Sequence, residues 1–296
     1  MRYLNQEQKQ KLQDDGFLLI KAVFSEEEIN KMKESATHFC SINNYDDEMN
    51  IGDAMSLEGM ANYLLDDRLV SIAKDVLGEE IIYFGDSALH CAPNKRIFHN
   101  DARGDHWDPS NSDYPLYRMG FFFQDHSLHS GGIKFRTGSH KKLLYYGKFL
   151  KTLIPSIFKV LLGKLSIKSL LNTGKIVNAK SEMGDVVIWN LRTEHSGGAV
   201  ILKDDPDNAL LPYQDEQIPD NKKLPEHDIR MAVFCCFAAS HQATESYISW
   251  KVNNKGYKDH WLGCQFDKIE VQKLALEKSV NLDFTGIKKY RKPIEV

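Results

Sequence analysis

The chain has 296 residues, 42% of them apolar and 27% charged, the composition of a globular protein long enough to bury a sizeable core. A formal net charge of −3 gives no electrostatic basis for binding nucleic acid. The five cysteines are odd in number, show no CxxC spacing and include the adjacent pair Cys235 and Cys236, which argues against a disulfide framework or a structural zinc site and for a reducing compartment, the cytoplasm. The first residues contain no apolar signal-like core, and no uncharged apolar run reaches the ~18 residues of a membrane span.

In chain order, residues 5–15 are polar and helix-compatible, with Leu12 as the apolar anchor and Gly16 as the stop. Phe17-Leu18-Leu19-Ile20 reads as a buried strand. Ser25-Glu26-Glu27-Glu28 has the spacing of a capping box and predicts a helix to about Phe39. Residues 66–77 predict a second long helix, ended by Gly78. Strands are then expected at 81–84 and 87–91, at 117–125, at 133–136, at 183–190 and at 230–237. Helices first and short strands with Gly/Pro turns afterwards predict an α+β domain on a double-stranded β-helix core, a jelly roll, with N-terminal helices and helical insertions.

Three stretches depart from that core. Residues 141–180 hold nine lysines and no acidic residue, interleaved with apolar side chains. They predict a helical insertion with a solvated basic face, or a surface for a membrane or an anionic, lipid-linked substrate. Residues 203–228 are rich in Asp, Pro, Asn and Lys and read as a mobile loop. Residues 245–296 are expected to cover the barrel, with no chemistry assigned to them. The whole, 1–296, reads as one domain.

The candidate chemistry lies at His99 and Asp101. A His and a carboxylate two residues apart on an extended strand project to one side and can begin a metal site. His106 and Asp108 repeat the spacing, but in a segment that reads as loop. The rigid strand favours the first pair. A third ligand must come from elsewhere, and His195, which follows the strand at 183–190, is the best placed. Two His and one carboxylate form the facial triad of non-haem Fe(II) oxygenases. Arg230 opens the last strand and can clamp a carboxylate in bidentate fashion; the Ser196 hydroxyl can assist it. The other histidines read as structural.

These residues together resemble the phytanoyl-CoA dioxygenase family of Fe(II)/2-oxoglutarate oxygenases. The likeness runs over roughly residues 5–240. It begins with Asp15-Gly16-Phe17 and the capping box, and continues through Phe98-His99-Asn100-Asp101 to Gln124-Asp125-His126. Ser130-Gly131-Gly132, Thr137-Gly138-Ser139-His140, Gly184-Asp185 to His195, and Arg230 complete it. Two features depart from the family pattern. The spacing from His195 to Arg230 is lengthened by the 203–228 stretch, and Met231-Ala232 leaves no Ser or Thr two residues after the arginine.

The resemblance implies Fe(II) held by His99, Asp101 and His195, and 2-oxoglutarate as cosubstrate with its far carboxylate on Arg230. It further implies O2 as oxidant and hydroxylation of a C–H bond of a small molecule with release of succinate and CO2. The triad carboxylate argues against halogenation. A protein or peptide hydroxylase and a non-catalytic jelly-roll binding protein are the alternatives, since a fold does not carry its substrate.

Overall fold

The computed structural model describes residues 2–42, 49–51, 53–91, 98–102, 114–141, 157, 161, 174–227 and 230–294. Helix α1 (Gln6–Asp15) opens with a reciprocal cap, the Gln8 N–H donating to the Asn5 side chain and the Asn5 N–H to that of Gln8. Gly16 ends it at φ 84°, and β1 (Phe17–Ile20) follows at once. Helix α2 (Glu26–Ile42) starts from the predicted box, with Ser25 N–H on Glu28 at 2.7 Å and Glu28 N–H on Ser25 Oγ at 3.2 Å. Glu28 also takes Arg68, whose other edge grips Asp66, the N-cap of α4 (Asp67–Leu77). Arg68 thereby ties α2 to α4 and holds the Glu28 carboxyl down at about 2. Between them lie β2 (Met49–Ile51) and the short α3 (Met60–Leu64).

The strands form two sheets. The larger is built from β3 (Ile81–Cys91), β4 (Leu116–Phe122), β7 (Val186–Asn190), β9 (Met231–Ala239) and β10 (Val280–Leu282), together with β1 and β2. Its order is β1-β7-β4-β9-β3-β10, with β2 beside β3, and every pairing is antiparallel except β3 with β10. The predicted strands at 81–84 and 87–91 are one strand with a register break between Tyr83 and Ser87. The smaller sheet has the order β6-β5-β8, from β5 (Gly132–Arg136), β6 (Ile176–Ala179) and β8 (His195–Ala199).

Apolar side chains from both sheets share one cluster. Phe17, Phe122, Trp189 and Phe234 come from the larger, and Ile133, Phe135 and Ala179 from the smaller. The Phe17 and Phe135 rings stack at 4.4 Å across it. A second, larger core lies on the other face of the larger sheet and receives α2, α4 and the C-terminal helices. The residues from 242 on form α6 (Gln242–Asn253), α7 (Lys258–Gly263), α8 (Ile269–Glu277), β10 and α9 (Thr285–Tyr290). They are fastened by Asp53, which accepts from the backbone of Gln265 and Phe266 and from Ser87 and Tyr83.

Two expectations change. Most of the lysine-rich stretch lies outside the described residues, but its last residues are strand β6, paired along β5, and so belong to the core. Residues 203–227 of the expected mobile loop are packed down. Short helix α5 (Pro212–Asp215) brings Asp215 to Lys134, which has no exposed surface and also donates to Leu210 O at 2.8 Å. A lysine pointing away from the core on β5 must have acceptors if it is to be buried, and this excursion supplies them.

Candidate metal centre

The site is assembled by the turn between β7 and β8. Asn190 N–H donates to Gly16 O, and Thr193 Oγ donates to the same oxygen at 2.8 Å, so the end of α1 fixes the turn. Gly16 is required twice there, by its positive φ and because a Cβ would lie 2.3 Å from the His140 ring and 2.6 Å from Thr193 Oγ. His195 then begins β8. His99 pairs with it through two backbone hydrogen bonds, His99 N–H to His195 O at 3.0 Å and His195 N–H to His99 O at 2.8 Å. The N–H groups of Asp101 and Ala102 both donate to Leu191 O. Two distant parts of the chain are thus locked together by main-chain bonds.

The side chains converge. One ligand atom from each of His99, Asp101 and His195 lies within 4.8 Å of the other two. Asp101 Oδ1 is 3.9 Å from His99 Nε2, Asp101 Oδ2 is 3.6 Å from His195 Nε2, and the imidazole centroids are 4.3 Å apart. His195 Nδ1 sits 3.0 Å from Thr193 O; with the proton on Nδ1, the Nε2 lone pair faces Asp101. Burial brings the His195 imidazole down to about 4, with the His99 ring acting the same way and Asp101 opposing. For Asp101, burial favours the neutral acid, but Arg118, then His195 and His99, outweigh it and hold the carboxyl below its ordinary value. A neutral imidazole beside an ionised carboxylate is a donor set for a divalent cation. Asp101 Oδ2 is buried and accepts no hydrogen bond among the described residues; Arg118 Nη1 lies 3.2 Å from it as an ion-pair partner, which leaves it able to take a metal as well.

The triad forms one wall of a cavity of about 70 Å³, whose other walls include His90 and Arg118, Ile133 and Gly197, and Trp189, Arg230 and Phe234. Arg230 is 6% exposed, lies just before β9, and rests on the Phe122 ring at 4.8 Å. Gln124 accepts the Met231 N–H at 3.0 Å and so fixes the backbone next to it. Gly120 lies beneath the cavity wall, where a Cβ would come within 2.6 Å of the Phe234 ring.

Of the residues expected from sequence, His99, Asp101, His195 and Arg230 meet at this cavity. Ser196 does not line it. It lies cross-strand from Lys134, on the face of β8 opposite His195, and donates to Gly197 O at 3.1 Å. His106 and Asp108 lie outside the described residues. The motifs of the central hairpin build turns: Asp125 caps Ser127, Ser130 Oγ donates to Leu224 O, and His140 meets Gln13 O. Sequence reasoning missed Arg118, Trp189 and His90. Arg118 carried a usable signal, since it alternates with Gly120 and Phe122 on β4 and so falls on the core-facing side.

The fold has solved counterparts. SnoK, a non-heme alpha-ketoglutarate-dependent carbocyclase from nogalamycin biosynthesis, is 14% identical, with a TM-score of 0.53 over 80% of this chain and 84% of its own. HygX from Streptomyces hygroscopicus, solved with nickel and 2-oxoglutarate, is 15% identical, with a TM-score of 0.52 over 80% and 88%. EctD from S. alaskensis, solved with 2-oxoglutarate and 5-hydroxyectoine, is 16% identical, with a TM-score of 0.51 over 80% and 77%. A comparison with curated protein sequences gives no match. At these identities the likeness establishes the fold of the non-haem 2-oxoglutarate oxygenases. Residues 12–201, well over half of the chain, match the family described as Phytanoyl-CoA dioxygenase (PhyH). The chain belongs to that family, and it is an enzyme of the 2-oxoglutarate-dependent dioxygenase class.

Proposed function

We propose that the enzyme hydroxylates a C–H bond of a small molecule, with iron on His99, Asp101 and His195 and the far carboxylate of 2-oxoglutarate on Arg230. The observation that carries this is the convergence of three ligand atoms within 4.8 Å on the wall of a small cavity that also holds a buried guanidinium. The two-sheet core is read as a double-stranded β-helix, and the chain as a single domain with a C-terminal cover, working in the cytoplasm. Among the described residues no helix is long and apolar enough to cross a membrane.

When bound, iron supplies the activation of dioxygen, coupled to decarboxylation of 2-oxoglutarate to succinate and CO2. The protein's own residues do the rest. His99 and His195 would present imidazole nitrogens to the metal, Asp101 would contribute the single negative charge, and Arg230 would orient the diacid through a charge-assisted pair. Trp189, Phe234 and Ile133 form the apolar part of a wall that also carries His90, Arg118 and Arg230.

The test is succinate formation from 2-oxoglutarate with Fe(II) present, across a panel of neutral and anionic metabolites. Substrate-stimulated succinate, with a product heavier by one oxygen, is the expected result. Turnover only with peptides, or no turnover and no metal uptake, points to the protein hydroxylase or the binding protein instead. Neutral substrates working as well as anionic ones would remove the case for an anionic or lipid-linked partner.

A further inference from the structure

Behind the proposed metal site runs a chain of charges, half-buried at Asp101 and Arg118 and buried further on, that ends in the C-terminal cover. Arg118 Nη1 is 3.2 Å from Asp101 Oδ2, and its Nη2 donates to Asp86 Oδ2 at 2.8 Å. Asp86, on β3, is 7% exposed and takes two further partners from α6. Lys251 Nζ is 2.6 Å from Asp86 Oδ1, and Tyr247 Oη donates to Asp86 Oδ2 at 2.9 Å. Lys251 and Tyr247 are themselves 3% and 4% exposed. Read outward from the cavity, the charges alternate: carboxylate, guanidinium, carboxylate, ammonium. Neighbours in this row carry opposite charge, so removing one shifts the electrostatic balance of those beside it.

We propose that Tyr247 and Lys251 are positioning residues for the metal's carboxylate ligand, acting through Asp86 and Arg118. The proposal rests on the metal site proposed above. Arg118 has one edge for Asp101 and one for Asp86, so where Asp86 sits decides how Arg118 meets Asp101. Lys251 and Tyr247 fix Asp86 from two sides, one on each carboxylate oxygen. Without Lys251 the full negative charge of Asp86 falls on Arg118 and draws it away from Asp101. The Asp101 carboxylate then loses its fixed orientation. Helix α6 lies beyond residues 12–201, so this element of the tail takes part in building the centre as well as covering the sheet.

The test uses the full-length, metal-free protein titrated with Mn(II), with binding followed by loss of the free-ion electron paramagnetic resonance signal. Tyr247→Phe removes one hydrogen bond and keeps the ring, so it is the variant that folds most safely. We expect it to weaken Mn(II) binding roughly threefold and Lys251→Met about tenfold, the lower end of what outer-sphere partners of metal ligands contribute. Lys251→Arg should restore most of the loss. A purely structural role would lower the melting temperature of the metal-free protein and leave Mn(II) affinity alone. If Tyr247→Phe and Lys251→Met both bind Mn(II) as the wild type does, while Asp101→Ala does not, the role of α6 is overturned and the site stands. A wild-type chain that takes up no Mn(II) overturns both.

Discussion

At the scale of single residues, the site depends on side chains held where water cannot compensate for their loss. Arg230 is buried at the cavity wall. Arg230→Met should raise the KM for 2-oxoglutarate on the order of 10–100-fold with a smaller change in kcat, since a hydrogen bond to a charged group is worth ~1.5–3 kcal/mol. Initial rates of succinate formation against cosubstrate concentration check this. Gly120→Ala should act on the same cavity from below, because the new methyl group would push the Phe234 ring, 2.6 Å away, toward the diacid. We expect weaker 2-oxoglutarate binding with little change in metal affinity, measurable by equilibrium dialysis. His99 and Asp101 were legible through their spacing of two, although the segment that holds them is a single bridge to His195 and not the expected strand. The same rule turns Ser196, the neighbour of His195 on β8, to the opposite face of the strand. Arg118 was harder to see, because a lone arginine on a strand reads as surface until its partner carboxylates are known.

At the scale of elements, the caps were legible and the long-range partners were not. Asn5, Ser25 and Asp66 announce α1, α2 and α4 through local hydrogen bonds that depend only on neighbouring residues. Strand β6 was hidden inside a lysine-rich stretch whose composition outweighed the short Ile176-Val177-Asn178-Ala179 run. The anchoring of residues 203–227 depends on Lys134, whose burial cannot be foreseen without knowing what covers it. That anchor gives a prediction of its own. Lys134→Met leaves the Asp215 carboxylate facing the sheet without a cation and should cost about 3 kcal/mol in chemical denaturation. The double variant with Asp215→Leu should recover most of that loss, because an apolar pair replaces the ionic one. A single variant as stable as the wild type would mean that the excursion contributes nothing to folding.

At the scale of the whole molecule, stability should fall in mild acid. Burial lowers His126 to about 3, His140 to about 4 and His260 to about 3, against 6.5 for an ordinary imidazole. Groups whose folded values are depressed in this way stay neutral in the native state, while the unfolded chain takes up protons below pH 6.5. Their contribution is therefore full above that pH and is lost as pH falls toward 4, by at most ~2 kcal/mol for each histidine at pH 5. Urea midpoints at pH 7.5 and pH 5 measure the effect; equal midpoints would contradict it. All five cysteines are free, four of them buried, so no disulfide contributes to the stability of the described fold. The mixture of N-terminal helices and later sheet was legible from the order of helices and strands. The double role of the tail was not, because Tyr247 and Lys251 meet Asp86 only after more than 150 residues of intervening chain have folded.

The most direct measurement is the Fe(II) stoichiometry of the anaerobic protein, compared among the wild type, Asp101→Ala and Asp108→Ala. A centre built on His99, Asp101 and His195 gives one iron per chain in the wild type and in Asp108→Ala, and loses it in Asp101→Ala. Iron retained by Asp101→Ala and lost by Asp108→Ala would place the metal on a different pair of ligands.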